Sequence, residues 1–170
     1  MSHFNSFVRI PALAIGHRIR PLPRIGLFDE DVLRMRVGLA DIDFNLHLNN
    51  ARYLSFMDYG RVHLMAATGI LTPVLVEKWA PLVGSLSITY RRSLGLFASF
   101  TLATRVLCWD ERWFYMEQVF QSDQGLAAIA WVKGLFRART AMSRHSVSPT
   151  SLCLAWHLRP FPRRLTAGTI

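Results

Sequence analysis

One stretch of this chain, 50–68, carries apolar residues at a helical period, and nearly everything from Pro81 to Arg137 repeats at a period of two. Tyr53, Met57, Gly60 and Leu64 stand at i, i+4, i+7 and i+11, on one helix face. Leu54, Phe56, Met65 and Ala66 widen that surface, which predicts a deeply buried helix. Asn49 or Asn50 supplies an N-cap and Gly69 a C-terminal stop. Pro73 is expected to keep the chain from continuing as helix.

Ahead of the helix, "VLRMRVGL" (32–39) alternates Leu33, Met35, Val37 and Leu39 with Arg34, Arg36 and Gly38, the pattern of a half-buried strand. After it, "LVGSLSITYRR" alternates Leu82, Leu86, Ile88 and Tyr90 with Ser85, Ser87, Thr89 and Arg91. Three more strands are predicted near 97–108, 112–121 and 126–137, joined by the turns "WDER" and "SDQG". Connections this short favour antiparallel neighbours. The expected class is α+β, with a long antiparallel sheet curled around one apolar helix.

Charge divides the 170 residues into three parts. All 11 acids lie between Asp29 and Asp123 beside 9 Lys and Arg, whereas four arginines precede and seven cations follow that body without any acid. We therefore read 1–28 as a basic arm, 29–139 as the folded domain and 140–170 as a basic tail with a short helix near 150–158 or an irregular path. Basic flanks suit phosphate, an anionic membrane surface or an acidic carrier protein, but no motif supports nucleic-acid binding. Cys108 and Cys153 have no metal-ligand spacing, and Cys108 reads as a core thiol, which points to a reducing compartment such as the cytoplasm. The arm lacks a secretory signal's apolar region; its arginines suit an organelle transit peptide or peripheral membrane contact instead.

The densest polar chemistry sits at the junction of the first strand and the helix, in "ADIDFNLHLNNARYL" (40–54). A turn and a helix cap would explain it; so would an active site. The segment "DIDFNLHLNNARYLSFMDYGR" (41–61) resembles hotdog-fold thioesterases. Asp41, Asp43, Asn50 and Tyr53 are similar to the Asp-x-Asp and helix start of the 4-hydroxybenzoyl-CoA type. Asp43, Asn45, His47, Asn49 and Asn50 resemble the Asp-x-Asn-x-His-x-Asn-Asn of plant acyl-carrier-protein thioesterases. "YRRSL" (90–94) looks like the family's next strand, and "CWDERWFYMEQVF" (108–120) resembles a hairpin of thioesterase superfamily member six. The sequence departs from the plant pattern at Ser93, where an acid follows Tyr-Arg-Arg. A related hydratase spaces its histidine one residue later, which argues against hydration.

The resemblance implies a hotdog homodimer, or a dimer of dimers, that hydrolyses acyl-CoA or acyl-carrier-protein thioesters and needs no cofactor beyond the coenzyme A of its substrate. Asp43 is then the general base or the nucleophile, assisted by Asn45 and His47. Backbone N–H groups around 49–52 polarise the thioester carbonyl. Asn49, Asn50, Tyr53 and Asp58 are expected around the substrate, Asp58 either near a facing subunit's site or in an i, i+3 ion pair with Arg61. Arg91 and Arg92 are candidates for coenzyme A phosphate or a carrier protein. Trp109, Trp113, Phe114 and Tyr115 read as sheet packing first and acyl-tunnel lining second. Asp41 is left as a turn residue. The reading from a different class is a non-catalytic hotdog protein that binds acyl chains or a membrane-associated partner.

Overall fold

A computed structural model describes residues 23–137. It contains β1 (Asp31–Arg36), a 3-10 turn (Leu39–Asp41), α1 (Asn50–Thr68), α2 (Leu71–Val76), β2 (Ala80–Tyr90), β3 (Ser99–Trp109), β4 (Phe114–Ser122) and β5 (Gly125–Arg137). The proposed arm before residue 23 and the tail, including its helix near 150–158, lie outside the described residues.

Helix α1 begins and ends where its caps predict. Asn49 is extended and its side chain accepts from Ala51 N–H, while Gly69 adopts φ 83 and donates its N–H to the Ala66 carbonyl. The buried face holds Tyr53, Phe56, Met57, Gly60 and Leu64, but Leu54, on the flank of that face, is solvent-exposed. Pro73 does not end helical structure. It falls at the third position of α2, inside the first turn, where a missing N–H breaks no helical bond.

All pairings in the five-stranded sheet are antiparallel, in the order β1-β3-β4-β5-β2. Tyr53, Met57, Leu64, Phe100, Leu102, Phe120 and Val132 form one core between α1 and the sheet, the hotdog arrangement of a sheet folded over a central helix. Beneath the helix, fully buried Gln118 donates to the Met57 carbonyl (2.9 Å) and Thr104 Oγ1 (3.1 Å), and accepts from Arg61 Nη1 (2.8 Å). Arg61 also pairs with Asp58. Burial draws the Arg61 guanidinium below its ordinary value, and Asp58 opposes that shift. His63 Nδ1 and Asp31 Oδ2, 2.6 Å apart, tie the helix to β1.

Gly60 allows this close seating, because a Cβ there would lie 2.5 Å from Thr104 Oγ1 and 2.9 Å from Gln118 Nε2. Gly60→Ala is therefore expected to destabilise the fold. Overpacking at a satisfied polar network costs about 1–3 kcal/mol, more than the roughly 1 kcal/mol that alanine adds in helix propensity. A lower denaturation midpoint with unchanged slope would be the readout.

The sheet's edges differ. β1 is short, whereas β2 runs eleven residues with Leu82 and Val83 exposed and a register shift between Val83 and Ser85. The body also begins before residue 29. Ile25 N–H reaches the Ala67 carbonyl, and the Phe28 ring stacks on Trp109 with centroids 5.0 Å apart. Cys108 is buried as expected but is disulfide-bonded rather than a free thiol, with its partner outside the described residues. The support that a free core thiol lent to a reducing compartment is thereby removed. Among the described residues, no helix is long and apolar enough to cross a membrane.

Candidate active site

The polar junction folds as a small hairpin. Asn49 N–H donates to the Asp41 carbonyl (2.9 Å), Ile42 bridges Leu48, and Asp43 N–H donates to the His47 carbonyl (2.9 Å). Its tip closes through Leu46 N–H to the Asp43 carbonyl (3.1 Å), with Leu46 at φ 59, a left-handed conformation uncommon for leucine. A second segment clamps it from outside: Leu48 N–H reaches the Leu94 carbonyl (2.7 Å), Leu96 N–H the Leu46 carbonyl (3.1 Å), and His47 bridges Gly95.

Within this frame the Asp43 carboxylate divides its work. Oδ1 accepts from Asn45 N–H (2.9 Å) and His47 N–H (3.4 Å), so the turn-capping role is present. Oδ2 has no partner among the described residues. Asn45 and His47 meet Asp43 through their backbones; both are exposed, and neither side chain has a partner among the described residues.

The donors expected at the helix start narrow to one. Asn49 N–H is taken by the Asp41 carbonyl, Ala51 N–H by Asn49 Oδ1 (2.8 Å) and Arg52 N–H by the Asn49 carbonyl (2.8 Å). Asn50 N–H has no acceptor among the described residues. It points a free donor out of the positive end of a 19-residue helix. The Asn50 carbonyl accepts from Tyr90 Oη at 3.4 Å, which links the helix start to the end of β2.

Asp41, read from sequence as a turn residue, is 1% exposed. Its Oδ2 accepts from Gly38 N–H (3.0 Å), and its Oδ1 takes both Nε (2.9 Å) and Nη2 (2.6 Å) of Arg52. This ion pair joins the strand side of the hairpin to the first turn of α1, so Arg52 is a structural determinant that sequence reasoning missed. The available signal was the pair of opposite charges at the two ends of the polar stretch.

Other expected site residues are placed less directly. Tyr53 is 2% exposed and packs edge-on against Tyr90 and Phe120, with centroids 5.0 and 4.9 Å away. Burial, then the neighbouring Tyr90 hydroxyl, pushes its phenol up to about 12; burial also raises Tyr90. Because the folded state holds these protons more tightly than the unfolded chain, their stabilisation is full below about pH 10 and is lost as pH rises toward Tyr53's folded value. Denaturation midpoints should therefore fall above that point, and Tyr53→Phe should flatten the decline. Asp58 is mostly exposed beside Arg61. Arg91 and Arg92 give their backbone N–H groups to the Ala127 carbonyl (2.8 and 3.1 Å), and both residues are exposed. Among the aromatics, Tyr115 is buried, Phe114 packs near Phe136, and the Trp113 ring centre lies 5.2 Å from the Arg112 guanidinium and 4.7 Å from Lys133 Nζ. No group of side chains with metal-binding geometry exists among the described residues.

Comparison with known proteins agrees with this architecture. Protein THEM6 of Danio rerio is 42% identical over 102 residues, 59% of this chain and 50% of that protein. Protein THEM6 of Xenopus laevis is 34% identical over 114 residues, 67% of this chain and 55% of that protein. The chain thus spans about half the length of these relatives. A Staphylococcus aureus protein solved in complex with CoA superimposes with a TM-score of 0.63 at 16% identity, covering 86% of this chain and 98% of that one, a likeness of fold. The profile of the Thioesterase-like superfamily matches residues 37–152, from the end of β1 through the hairpin, α1 and the whole remaining sheet. On that match, which takes in the Asp43 hairpin together with the fold that holds it, the chain belongs to the thioesterase-like superfamily.

Proposed function

We propose that this chain hydrolyses acyl thioesters at the Asp43 hairpin, with a hydrophobic acyl-CoA as substrate and an acyl carrier protein as the alternative donor. The observation that carries the reading is that one hairpin frame holds two groups without partners among the described residues: the Asp43 Oδ2 and the Asn50 N–H. Hydrolysis requires both kinds. Asp43 either draws a proton from the attacking water or attacks the carbonyl itself, forming an anhydride that water then opens. Asn50 N–H stabilises the oxyanion as the carbon becomes tetrahedral. A single such donor is worth about 3–4 kcal/mol of barrier. Collapse expels the thiolate of coenzyme A, which leaves with a proton as free thiol.

Asn45 and His47, whose side chains have no partners among the described residues, hold the water or carry protons. Asn49 shapes the helix start, Tyr53 and Tyr90 support it from below, and Arg91 and Arg92 suit the phosphates of coenzyme A. The CoA bound to the Staphylococcus aureus fold relative supports that carrier. The β2 edge, with its exposed Leu82 and Val83 and no second strand partner among the described residues, suits a second copy of the chain, which would bring Asp58 near the facing site.

A specific observation favours the non-catalytic reading as well. Asp43 already caps its loop, and Ser93 replaces the acid of the plant pattern. A panel of acyl-CoA and acyl-carrier-protein thioesters of increasing chain length separates the two. Thiol release that grows with acyl hydrophobicity is expected; tight acyl binding without any release would leave the binding role in its place.

A further inference from the structure

Three segments at one corner of the fold carry large apolar side chains turned to solvent. Leu39 is 70% exposed, Phe44 106%, Leu46 61% and Phe97 50%. These segments are tied together: Leu96 N–H bonds to the Leu46 carbonyl, and Phe97 N–H to the Val37 carbonyl. Leu46 and Phe97 keep positive φ angles, 59 and 63, in which leucine and phenylalanine are rare. The rim hangs from the β1 side of the sheet, the edge opposite β2. It is therefore distinct from the strand edge suited to a second copy.

Arginines stand beside it. Arg36 Nε donates to the Phe97 carbonyl at 2.7 Å, and its guanidinium lies 5.4 Å from the Phe97 ring centre. Arg34 lines the same groove as Arg36 and Phe97. Of the carboxylates nearby, Asp41 is spent on Arg52, leaving Asp43 in the hairpin and Asp123 across the groove. Arg34 has no ion pair among the described residues.

From this combination we infer that the rim formed by Leu39, Phe44, Leu46 and Phe97 docks the protein on an anionic lipid bilayer, with Arg34 and Arg36 facing the headgroups. Apolar tips flanked by arginines match the two layers of such a surface, an acyl boundary beneath negative charge. A second copy is a poorer occupant, since two-fold pairing of the rim would bring two sets of arginines into one interface with no ion-pair partner for Arg34 among the described residues. Docking would also turn the Asp43 hairpin toward the phase in which hydrophobic acyl chains reside. That consequence rests on the hydrolytic reading; the docking itself does not.

The test is sedimentation of the full chain with sucrose-loaded vesicles, with no thioester present. Phosphatidylcholine vesicles are compared with vesicles containing about one part in five phosphatidylserine. The wild-type chain is set beside a Phe44→Ser, Leu46→Asn, Phe97→Asn variant; asparagine accepts positive φ, so the loops keep their shape. Preferential binding to the anionic vesicles is expected, with at least about a tenfold loss of partitioning in the variant. The basic flanks are the same in both proteins, so that difference reports the rim. As a second measurement, Phe44→Trp should gain blue-shifted emission over wild type when anionic vesicles are added. Equal partitioning of wild type and triple variant, or emission from Phe44→Trp that does not shift, would overturn the inference. So would a variant that merely changes oligomeric state, which would assign the rim to a second copy. Failure of hydrolysis with vesicle binding intact would instead remove the proposed activity and leave the docking surface standing.

Discussion

Asp43→Asn should lower kcat for acyl-CoA hydrolysis by about 10²–10⁴-fold, the range expected for loss of a positioned base, while leaving thermal stability nearly unchanged. The geometry makes this substitution unusually clean. The two backbone donors, Asn45 N–H and His47 N–H, both reach Oδ1, and an asparagine carbonyl accepts both. What changes is Oδ2, which becomes an amide that can neither take a proton nor attack a carbonyl. Asp43→Ala is the contrasting control. It removes the cap too, so activity and stability should fall together. A retained rate in Asp43→Asn, measured with the Tm of both proteins, would reduce the residue to its turn-capping role.

The second large effect lies in the Asp41–Arg52 pair. Arg52→Ala strands a 1% exposed carboxylate that keeps only the Gly38 N–H, and breaking a buried pair in this way costs about 3–5 kcal/mol. The loss should appear as a lower midpoint in urea. It should also reach the site, because the pair fastens Asp41, two residues before Asp43, to the helix turn that begins at Asn50. We therefore expect kcat to drop in the folded variant under conditions where the wild type and the variant are both fully native. Arg52→Lys offers a useful comparison: it restores charge but not the two-nitrogen approach of Nε and Nη2 to Oδ1, so recovery should be partial.

Much of this architecture was legible in the order of residues because it depends on local rules. Asn49 and Gly69 mark the ends of α1 through the chemistry of caps, and the period-two runs mark the strands through the geometry of the pleat. Position 60 was legible as part of the buried face, although the sequence did not reveal that only a glycine fits against Thr104 and Gln118. What escaped was non-local. Leu54 belongs to the apolar count of the helix, yet the sheet covers only one side and leaves it in solvent. The N–H that Pro73 lacks is needed only in a helix interior, so a short helix that starts just before it was open to the chain.

The site followed the same division. The Asp43 to Asn50 segment was readable as a polar junction because its residues are contiguous, and the caps at Asn49 and Asp43 are both present. The partnership of Asp41 with Arg52 spans eleven positions across a hairpin, where neither helical nor strand periodicity relates the two residues. The reduction of the helix-start donors to Asn50 N–H depends on which neighbouring carbonyls fold back, a matter of three-dimensional path rather than residue order. Cys108 was placed correctly in a buried position but with the wrong redox state, since burial alone does not distinguish a thiol from a disulfide.

In the proposed reaction Asp43 and Asn50 N–H act on one carbonyl. A crystal structure of the chain with a non-hydrolysable acyl-CoA, in which a methylene separates sulfur from the carbonyl, tests it most directly. The expected result is a carbonyl oxygen about 2.7–3.1 Å from Asn50 N, with Asp43 Oδ2, or a water held by it, facing the carbonyl carbon. An acyl group seated elsewhere, such as the groove beside Arg34 and Arg36, with Asn50 N–H still unengaged, would contradict it.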